Sequence, residues 1–292
     1  MPSLLGWHFL FLLMEFINVN GKIVPRDEAS IRVDDHSYRY GNGLFETMKV
    51  LNGKILLSDF HFERLFEGLY LLKFQVSKLF TRIRLEKEIL QLCKKNNCES
   101  IARIRLSVSP GYGGLYDANE KLQYRIESWP LRASTMQLND NGLVIDVFPY
   151  AQKSCDRFSG LKSASHLAYA MGARFAKENK LNDCLLLNSH NRICDSTIAN
   201  IFWIKSGLIY TPPLSEGCIA GVMRKFLINS LSGTTYKVFE KHCQITALEK
   251  ADEIFLTNAI RGIQWVRRFR DTLFGNVATK KIHDELSQRK SE

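Results

Sequence analysis

Lys162 is the first residue whose type and position could carry out chemistry. It lies in the stretch SGLKSASHL, at the end of a polar loop and just before a predicted helix. From its position alone, a solvated surface charge is one interpretation. The other is a lysine at a rigid, partly shielded edge, where a lowered pKa lets the amine form a Schiff base with a carbonyl compound.

Asp195 is the acid of the stretch RICDSTIANIFW, where a polar loop runs into an apolar stretch rich in strand-forming residues. One interpretation is a turn residue whose side chain accepts hydrogen bonds from its own backbone. The other is a carboxylate that keeps a heterocyclic nitrogen protonated, because a nearby negative charge favours the protonated cation.

Three further segments carry groups that suit a phosphate. Arg64, in HFERL, is either a surface arginine of a helix or a fork that binds phosphate through two hydrogen bonds. The loop IAGVMRK opens a predicted helix whose free N–H groups could bind the same anion, and Thr257 and Asn258 end a predicted strand. An amine, an acid and a phosphate cup are together what a pyridoxal phosphate enzyme requires.

Strands and helices must position these groups. In the first part of the chain, Asn20-Gly21 predicts a hairpin turn, and Asn52-Gly53 predicts a second one within LFETMKVLNGKILLSD. A helix follows with Ser58 as its predicted N-cap, and another covers roughly 79–96. The strands SIARIRLSVS and LQYRIESWPL complete this part.

Apolar periodicity lapses over residues 132–142, which predicts a domain junction there. The strand LVIDVFPY, the helix ASHLAYAMGARFAKEN, several short strands and a last helix within 277–289 follow. Strands and helices are too mixed for a doubly wound sheet, so we expect an α+β protein with two domains, at 14–130 and 136–290.

Composition excludes several classes of protein. The 292 residues are 45% hydrophobic and 24% charged, and they carry a net charge of +10. The basic residues are scattered, without the aromatic–basic pattern of a single-strand binder, so no nucleic-acid partner is expected. No apolar run reaches the roughly 20 residues of a membrane helix. The seven irregularly spaced cysteines predict reduced cytoplasmic thiols and no metal site.

Residues 1–13 form a short apolar segment without a basic leader or a cleavage site. We expect it to be an extension outside the domain that arises from a misplaced start. The alternative is a short tail that associates with a membrane.

An ordered set of motifs gives the chain a family resemblance. It resembles the class IV aminotransferase group of fold-type IV pyridoxal phosphate enzymes, from about Phe16 to the last helix. The motifs are YGNGLFET (40–47), HFERL (61–65), LKS (161–163), DSTIANIFW (195–203), YTPPL with GCIAGVMR (210–224) and ADEIFLTNA (251–259).

The resemblance implies a role for each candidate residue. Lys162 would bond to the cofactor, and Arg64 would bind its phosphate. The phosphate cup would be completed by the amides of Val222 and Met223 and the hydroxyl of Thr257.

Asp195 would face the pyridine nitrogen, where the family normally carries Glu. The family also implies a fold like that of D-amino acid aminotransferase, with a small α/β N-terminal domain, a larger barrel-like C-terminal domain, and cofactor and substrate between them. It further implies a homodimer.

Within the family, 4-amino-4-deoxychorismate lyase is the activity that the segments GVMRKF, TNA and SPGYGGLYD resemble most. The lyase usually has Arg-Gly in place of Pro110-Gly111 and another Arg near Leu115. The predicted reaction releases pyruvate and 4-aminobenzoate from a small-molecule amine, for folate synthesis. A branched-chain or D-amino acid aminotransferase is the first alternative, and a basic binding protein that has lost catalysis is the second.

Overall fold

The computed structural model describes residues 15–117, 121–232, 234 and 236–289. The extension expected at residues 1–13 lies outside them. The chain divides into two compact units. The first contains Met1–Ser134 and Lys162–Ser165, and the second contains Thr135–Leu161 and His166–Glu292.

The first unit contains an antiparallel six-stranded sheet in the order β2-β1-β6-β5-β3-β4. Its strands are β1 (Phe16–Val19), β2 (Lys22–Pro25), β3 (Leu44–Leu51), β4 (Lys54–Ile55), β5 (Ile101–Ser109) and β6 (Gln123–Pro130). Its helices are α1 (His36–Tyr40), α2 (Ser58–Leu71) and α3 (Arg82–Lys95), with a short 3-10 helix at Arg26–Glu28.

Alternation along the strands gives this sheet two different faces. One face is apolar: Met48 of β3 and Ile104 and Leu106 of β5 are fully buried. Helix α2 packs against β3, and α3 packs against β6 and β1. The opposite face carries basic side chains, including Lys49 and Arg103, which are paired in register.

The second unit contains a nine-stranded mixed sheet in the order β12-β11-β10-β13-β14-β7-β8-β9, with β15 paired to β14. Its strands are β7 (Leu143–Lys153), β8 (Asp183–Asn188), β9 (Ile193–Ser196), β10 (Asn200–Lys205), β11 (Leu208–Thr211), β12 (Val238–Glu240), β13 (Glu253–Asn258), β14 (Gly262–Phe269) and β15 (Thr272–Leu273). Its helices are α4 (Leu167–Glu178), α5 (Val222–Leu231), α6 (Ile245–Glu249) and α7 (Val277–Arg289), with a 3-10 helix at Leu214–Glu216. Another 3-10 helix covers Ala133–Met136.

Strand β7 runs parallel to both β14 and β8, and β11 runs parallel to β12, while the other pairs are antiparallel. Buried aliphatic and aromatic side chains of this sheet, including Ile145, Leu185, Trp203 and Ile254, form a core. The α+β class predicted from the sequence is confirmed. Over the described residues, no helix is both long enough and apolar enough to cross a membrane.

One helix start differs from the prediction. Ser58 is the first residue of α2 and not its N-cap, which is Leu57 in the left-handed conformation with φ 55°. The Ser58 hydroxyl instead donates a hydrogen bond to Glu86 of α3. The N-cap prediction was therefore wrong, because a contact between two helices takes the hydroxyl away from the local backbone.

Candidate functional site

Lys162 lies beside the start of β3. Its carbonyl oxygen accepts a hydrogen bond of 2.9 Å from the Phe45 amide, and Ser163 forms a bridge with Leu44. Its side chain is half-buried, and the ammonium nitrogen lies 4.7 Å from the centroid of the Phe45 ring. A cation in this position is attracted by the face of the ring. The side chain is therefore not a fully solvated surface charge.

The sheet face that carries Phe45 is basic. The Arg105 guanidinium lies 3.8 Å from the centroid of the Phe45 ring, and Arg103 and Lys49 are on the same face. Burial lowers the pKa of both arginines. Burial raises the pKa of Glu127, which pairs in register with Arg105. Cations concentrated on one partly desolvated face attract anions.

Arg64 is held by a buried acid. Its Nε donates to Glu46 Oε1 at 2.7 Å and its Nη2 to Oε2 at 2.6 Å, so the two groups form a bidentate pair. The Arg64 side chain is 13% exposed and that of Glu46 is 2% exposed. The interpretation of Arg64 as an ordinary surface arginine was therefore wrong. In this structure its fork binds a carboxylate, and its role toward a phosphate stays a prediction.

His61 completes this cluster. Burial would raise the pKa of Glu46, but the charge of Arg64 and the hydrogen bond from His61 outweigh it and hold the pKa at about 2. Burial lowers the pKa of His61 itself. The neutral ring donates from Nδ1 to the Glu46 carboxylate at 2.6 Å. Within the described residues its Nε2 is buried and has no hydrogen-bond partner.

Asp195 lies in the second unit, inside β9, and is 2% exposed. Its Oδ2 accepts from the Tyr169 hydroxyl at 2.9 Å, the Ile219 amide at 3.0 Å and Lys153 Nζ at 3.1 Å. None of these donors belongs to its own turn. The interpretation of Asp195 as a turn residue was therefore wrong, while its position opposite a ring nitrogen stays a prediction.

The predicted phosphate cup lies where α5 begins. Val222 and Met223 are its first two residues, and both are buried. Gly221, at the N-cap, provides no side-chain hydrogen bond. The first amides of a helix lack partners within the helix and carry partial positive charge, so they can bind an anion.

The Thr257 hydroxyl adds an independent observation. Its Oγ1 is buried, and within the described residues it has no hydrogen-bond partner. Thr257 pairs in register with Asn200, and a Cβ at Gly221 would collide with Asn200 Oδ1. The amide nitrogen of Asn200 donates to the Ile219 carbonyl at 2.9 Å. A buried donor without a partner beside a helix N-terminus fits a bound phosphate.

The predicted site residues therefore fall into two groups, one in each unit. In the first unit, Lys162 and Arg64 both act electrostatically on His61. In the second unit, Asp195 and Thr257 are linked through Ile219. The Ile219 amide donates to Asp195, and the Ile219 carbonyl accepts from Asn200, which is paired in register with Thr257.

The sequence did not identify four residues that contact the predicted ones or each other: Glu46, His61, Lys153 and Tyr169. A signal existed for the first, because strand alternation places Glu46 on the apolar face between Leu44 and Met48, where a buried acid requires a cation. The other three carry no comparable local signal.

Known proteins match this sequence over most of its length. The family model described as amino-transferase class IV matches residues 43–269. An aminodeoxychorismate lyase from Bacillus subtilis (strain 168) is 26% identical over 264 residues, which cover 89% of this chain and 88% of that protein.

Two solved structures share the fold. The branched-chain amino acid aminotransferase of Escherichia coli has a TM-score of 0.84 at 21% identity, covering 94% of this chain and 93% of that one. A branched-chain amino acid aminotransferase from Thermobaculum terrenum, in its PLP form, has a TM-score of 0.82 at 18% identity, covering 95% and 94%.

Proposed function

The chain belongs to the class IV aminotransferase family, and we propose that this pyridoxal phosphate enzyme is an aminodeoxychorismate lyase. The family and the two-domain fold class predicted from the motifs are confirmed. The alternative of a basic binding protein without catalysis is not retained, because the family is one of enzymes. The homodimer that the resemblance implies and the cytoplasmic location that the cysteines predict stay predictions.

In this proposal, pyridoxal 5′-phosphate supplies a carbonyl group for the substrate amine and a ring that withdraws electrons. Lys162 bonds to the cofactor through Nζ. Val222 and Met223 hold the phosphate with their amides, and Thr257 holds it with its hydroxyl. Arg64 contributes positive charge toward the phosphate, from a position that Glu46 fixes.

Two side chains act on protons in this proposal: Lys162 transfers one, and Asp195 keeps one in place. The Lys162 amine would accept the proton from the carbon that bears the substrate nitrogen. The same amine can then return a proton where the product forms. Asp195 holds the proton at the ring nitrogen, because its negative charge favours the protonated form.

The observation that carries the class of substrate, an anion with two carboxylates, is the basic sheet face around Phe45. Lys162, Arg103, Arg105 and Lys49 all lie on or against this face. Aminodeoxychorismate carries two carboxylates, and arginine forks bind carboxylates through paired hydrogen bonds. The similarity to the B. subtilis lyase agrees with this choice.

Transamination is the second candidate. The same basic face also suits 2-oxoglutarate, a dicarboxylate that accepts the amino group in many transaminations. Pro110-Gly111 stands where the lyase usually has Arg-Gly, which removes one expected contact with the lyase substrate. Both reactions use Lys162 and Asp195 in the same first steps, so only the products distinguish them.

The test is to supply purified protein and pyridoxal phosphate with each substrate. Aminodeoxychorismate alone should yield pyruvate and 4-aminobenzoate, and leucine or D-alanine with 2-oxoglutarate should yield little glutamate. Lys162→Ala should abolish product, whereas Lys205→Ala, at an exposed ion pair with Asp252, should not. Rapid formation of glutamate without pyruvate from aminodeoxychorismate would assign the protein to the transaminases.

A further inference from the structure

A buried ammonium group is bound to the acid that the proposed function assigns to the cofactor ring. Lys153 Nζ lies 3.1 Å from Asp195 Oδ2 and 3.4 Å from Oδ1. The Lys153 side chain is 8% exposed and that of Asp195 is 2% exposed. The Lys153 ammonium also donates to the Tyr169 hydroxyl, and it lies 4.6 Å from the centroid of that ring.

The hydrogen bonds are distributed unequally over the carboxylate. Oδ2 accepts from Lys153, the Tyr169 hydroxyl and the Ile219 amide. Oδ1 has only the longer contacts, at 3.4 Å each, with Lys153 and the Cys194 thiol among the described residues. Oδ1 is therefore the oxygen with capacity for a further donor, and Oδ2 is the oxygen that fixes the side chain.

Three titratable groups interact with Asp195 among the described residues that carry a shifted pKa. Burial raises the pKa of the Tyr169 hydroxyl and of the Cys194 and Cys218 thiols, so these groups are neutral. Lys153 supplies the compensating cation. The carboxylate and the ammonium together carry no net charge.

We propose that Lys153 is a positioning residue that holds Asp195 and compensates its charge, so that the bound cofactor faces a neutral pair. This inference rests on the proposed function, which places Asp195 opposite the ring nitrogen. A lone buried carboxylate strongly favours a protonated ring nitrogen. A carboxylate paired with an ammonium about 3 Å away favours the protonated ring nitrogen less, because the positive charge of the ammonium offsets the negative charge of the carboxylate at the ring.

The shorter side chain of Asp195 is consistent with this arrangement. The family normally has Glu at this position, and Asp is shorter by one methylene group. In this chain the carboxylate lies where Lys153 and Tyr169 both reach it. The pair therefore makes the ring a weaker acceptor of electrons than a lone carboxylate would.

The experiment measures the ring nitrogen directly. The protein is loaded with pyridoxal phosphate that carries 15N in the ring, and the 15N chemical shift is followed against pH. In Lys153→Met, the pKa of the ring nitrogen should rise by about one unit or more, because the compensating charge is gone. Lys153→Arg should keep the wild-type pKa.

Lys205→Met is the matched control, because it removes an ammonium from an exposed ion pair of the same unit. It should leave the pKa of the ring nitrogen unchanged. Lys153→Gln removes the charge but keeps a hydrogen-bond donor, so it gives the same test if Lys153→Met does not fold.

A ring nitrogen whose pKa is the same in wild type and in the neutral variants would overturn the inference and leave Lys153 a purely structural ion pair. A wild-type protein that binds no pyridoxal phosphate, judged by its absorbance, would instead reject the proposed function. The two failures are therefore distinguishable.

Discussion

Glu46 provides the first test at the scale of single residues. It is buried and receives three hydrogen bonds from Arg64 and His61. Glu46→Gln removes one charge of a buried ion pair, so the free energy of unfolding without cofactor should fall by roughly 3 kcal/mol at pH 7. Urea denaturation measures this loss. Glu178→Gln, in an exposed pair with Arg174, is the control and should change little.

The same acid predicts a pH dependence. The pKa of Glu46 is about 2 in the folded protein, against an ordinary value of 4.5. A carboxyl group whose pKa is lower in the folded protein stabilises the fold fully at pH values above its ordinary pKa. This stabilisation is lost as the pH falls toward the pKa of the folded protein. The stability difference between wild type and Glu46→Gln should therefore shrink between about pH 4.5 and pH 2. A constant difference across that range would contradict the assignment of the charge to Glu46.

Removal of the Thr257 hydroxyl should weaken cofactor binding without lowering the stability of the fold. Its Oγ1 is buried without a partner among the described residues, so Thr257→Val should leave the stability without cofactor unchanged or slightly raised. If the hydroxyl holds the phosphate, the Kd for pyridoxal phosphate should rise roughly tenfold, which corresponds to the loss of one charge-assisted hydrogen bond. Thermal unfolding and absorbance titration measure the two effects.

Thr211→Val is the matched control for this variant. The Thr211 hydroxyl is also buried, but it donates to the Ile201 carbonyl at 2.8 Å. That variant should lose about 1 kcal/mol of stability and keep its affinity for the cofactor. A Thr257→Val protein that is destabilised, yet binds the cofactor normally, would make Thr257 a structural residue.

At the scale of elements, the start of α5 depends on close packing against β10. A Cβ at Gly221 would collide with Asn200 Oδ1, although the backbone of Gly221, with φ −68°, suits any residue. Gly221→Ala should cost about 1–3 kcal/mol through overpacking and weaken cofactor binding, because the amides of Val222 and Met223 must shift.

Gly275→Ala is the control for this change, since among the described residues, apart from its two chain neighbours, no atom lies within 4 Å of the added Cβ. It should be neutral or slightly stabilising, because alanine restricts the unfolded chain more than glycine does. Equal stability and equal cofactor affinity in the two variants would show that the α5 start is not tightly constrained. Urea denaturation and titration with pyridoxal phosphate provide both measurements.

Elements with strong local signals were predictable from the sequence. Asn20-Gly21 and Asn52-Gly53 form the predicted hairpin turns, and all four residues have positive φ, as the tightest hairpins require. The last helix covers Val277–Arg289, as its pattern predicted. These features depend on residues that are neighbours in the chain, which is why periodicity and turn chemistry suffice for them.

Features set by distant contacts were not predictable from local pattern. The Ser58 hydroxyl binds Glu86, which is 28 residues away, so the local capping rule failed. The partners of Asp195 lie 42 and 26 residues before it, at Lys153 and Tyr169. The motif identified Asp195, but only the fold shows that its charge is compensated.

At the scale of the whole molecule, the net charge of +10 bears on how anionic ligands arrive. The first unit adds a local contribution, because Lys49, Arg103 and Arg105 lie on one face of its sheet. A positive field raises the association rate of an anion, and salt screens this field over about 10 Å at 0.1 M ionic strength. The effect should therefore depend on ionic strength.

Pyridoxal 5′-phosphate and pyridoxal form a matched pair for this test, because they differ in the anionic phosphate. The association rate of pyridoxal 5′-phosphate with the cofactor-free protein should fall about tenfold between low and high salt, while that of pyridoxal should change little. Stopped-flow absorbance measures both rates. If both ligands respond equally to salt, ionic strength acts on the protein itself, and the positive field has no part in capturing the cofactor. If neither responds, the basic residues of this chain serve its solubility alone.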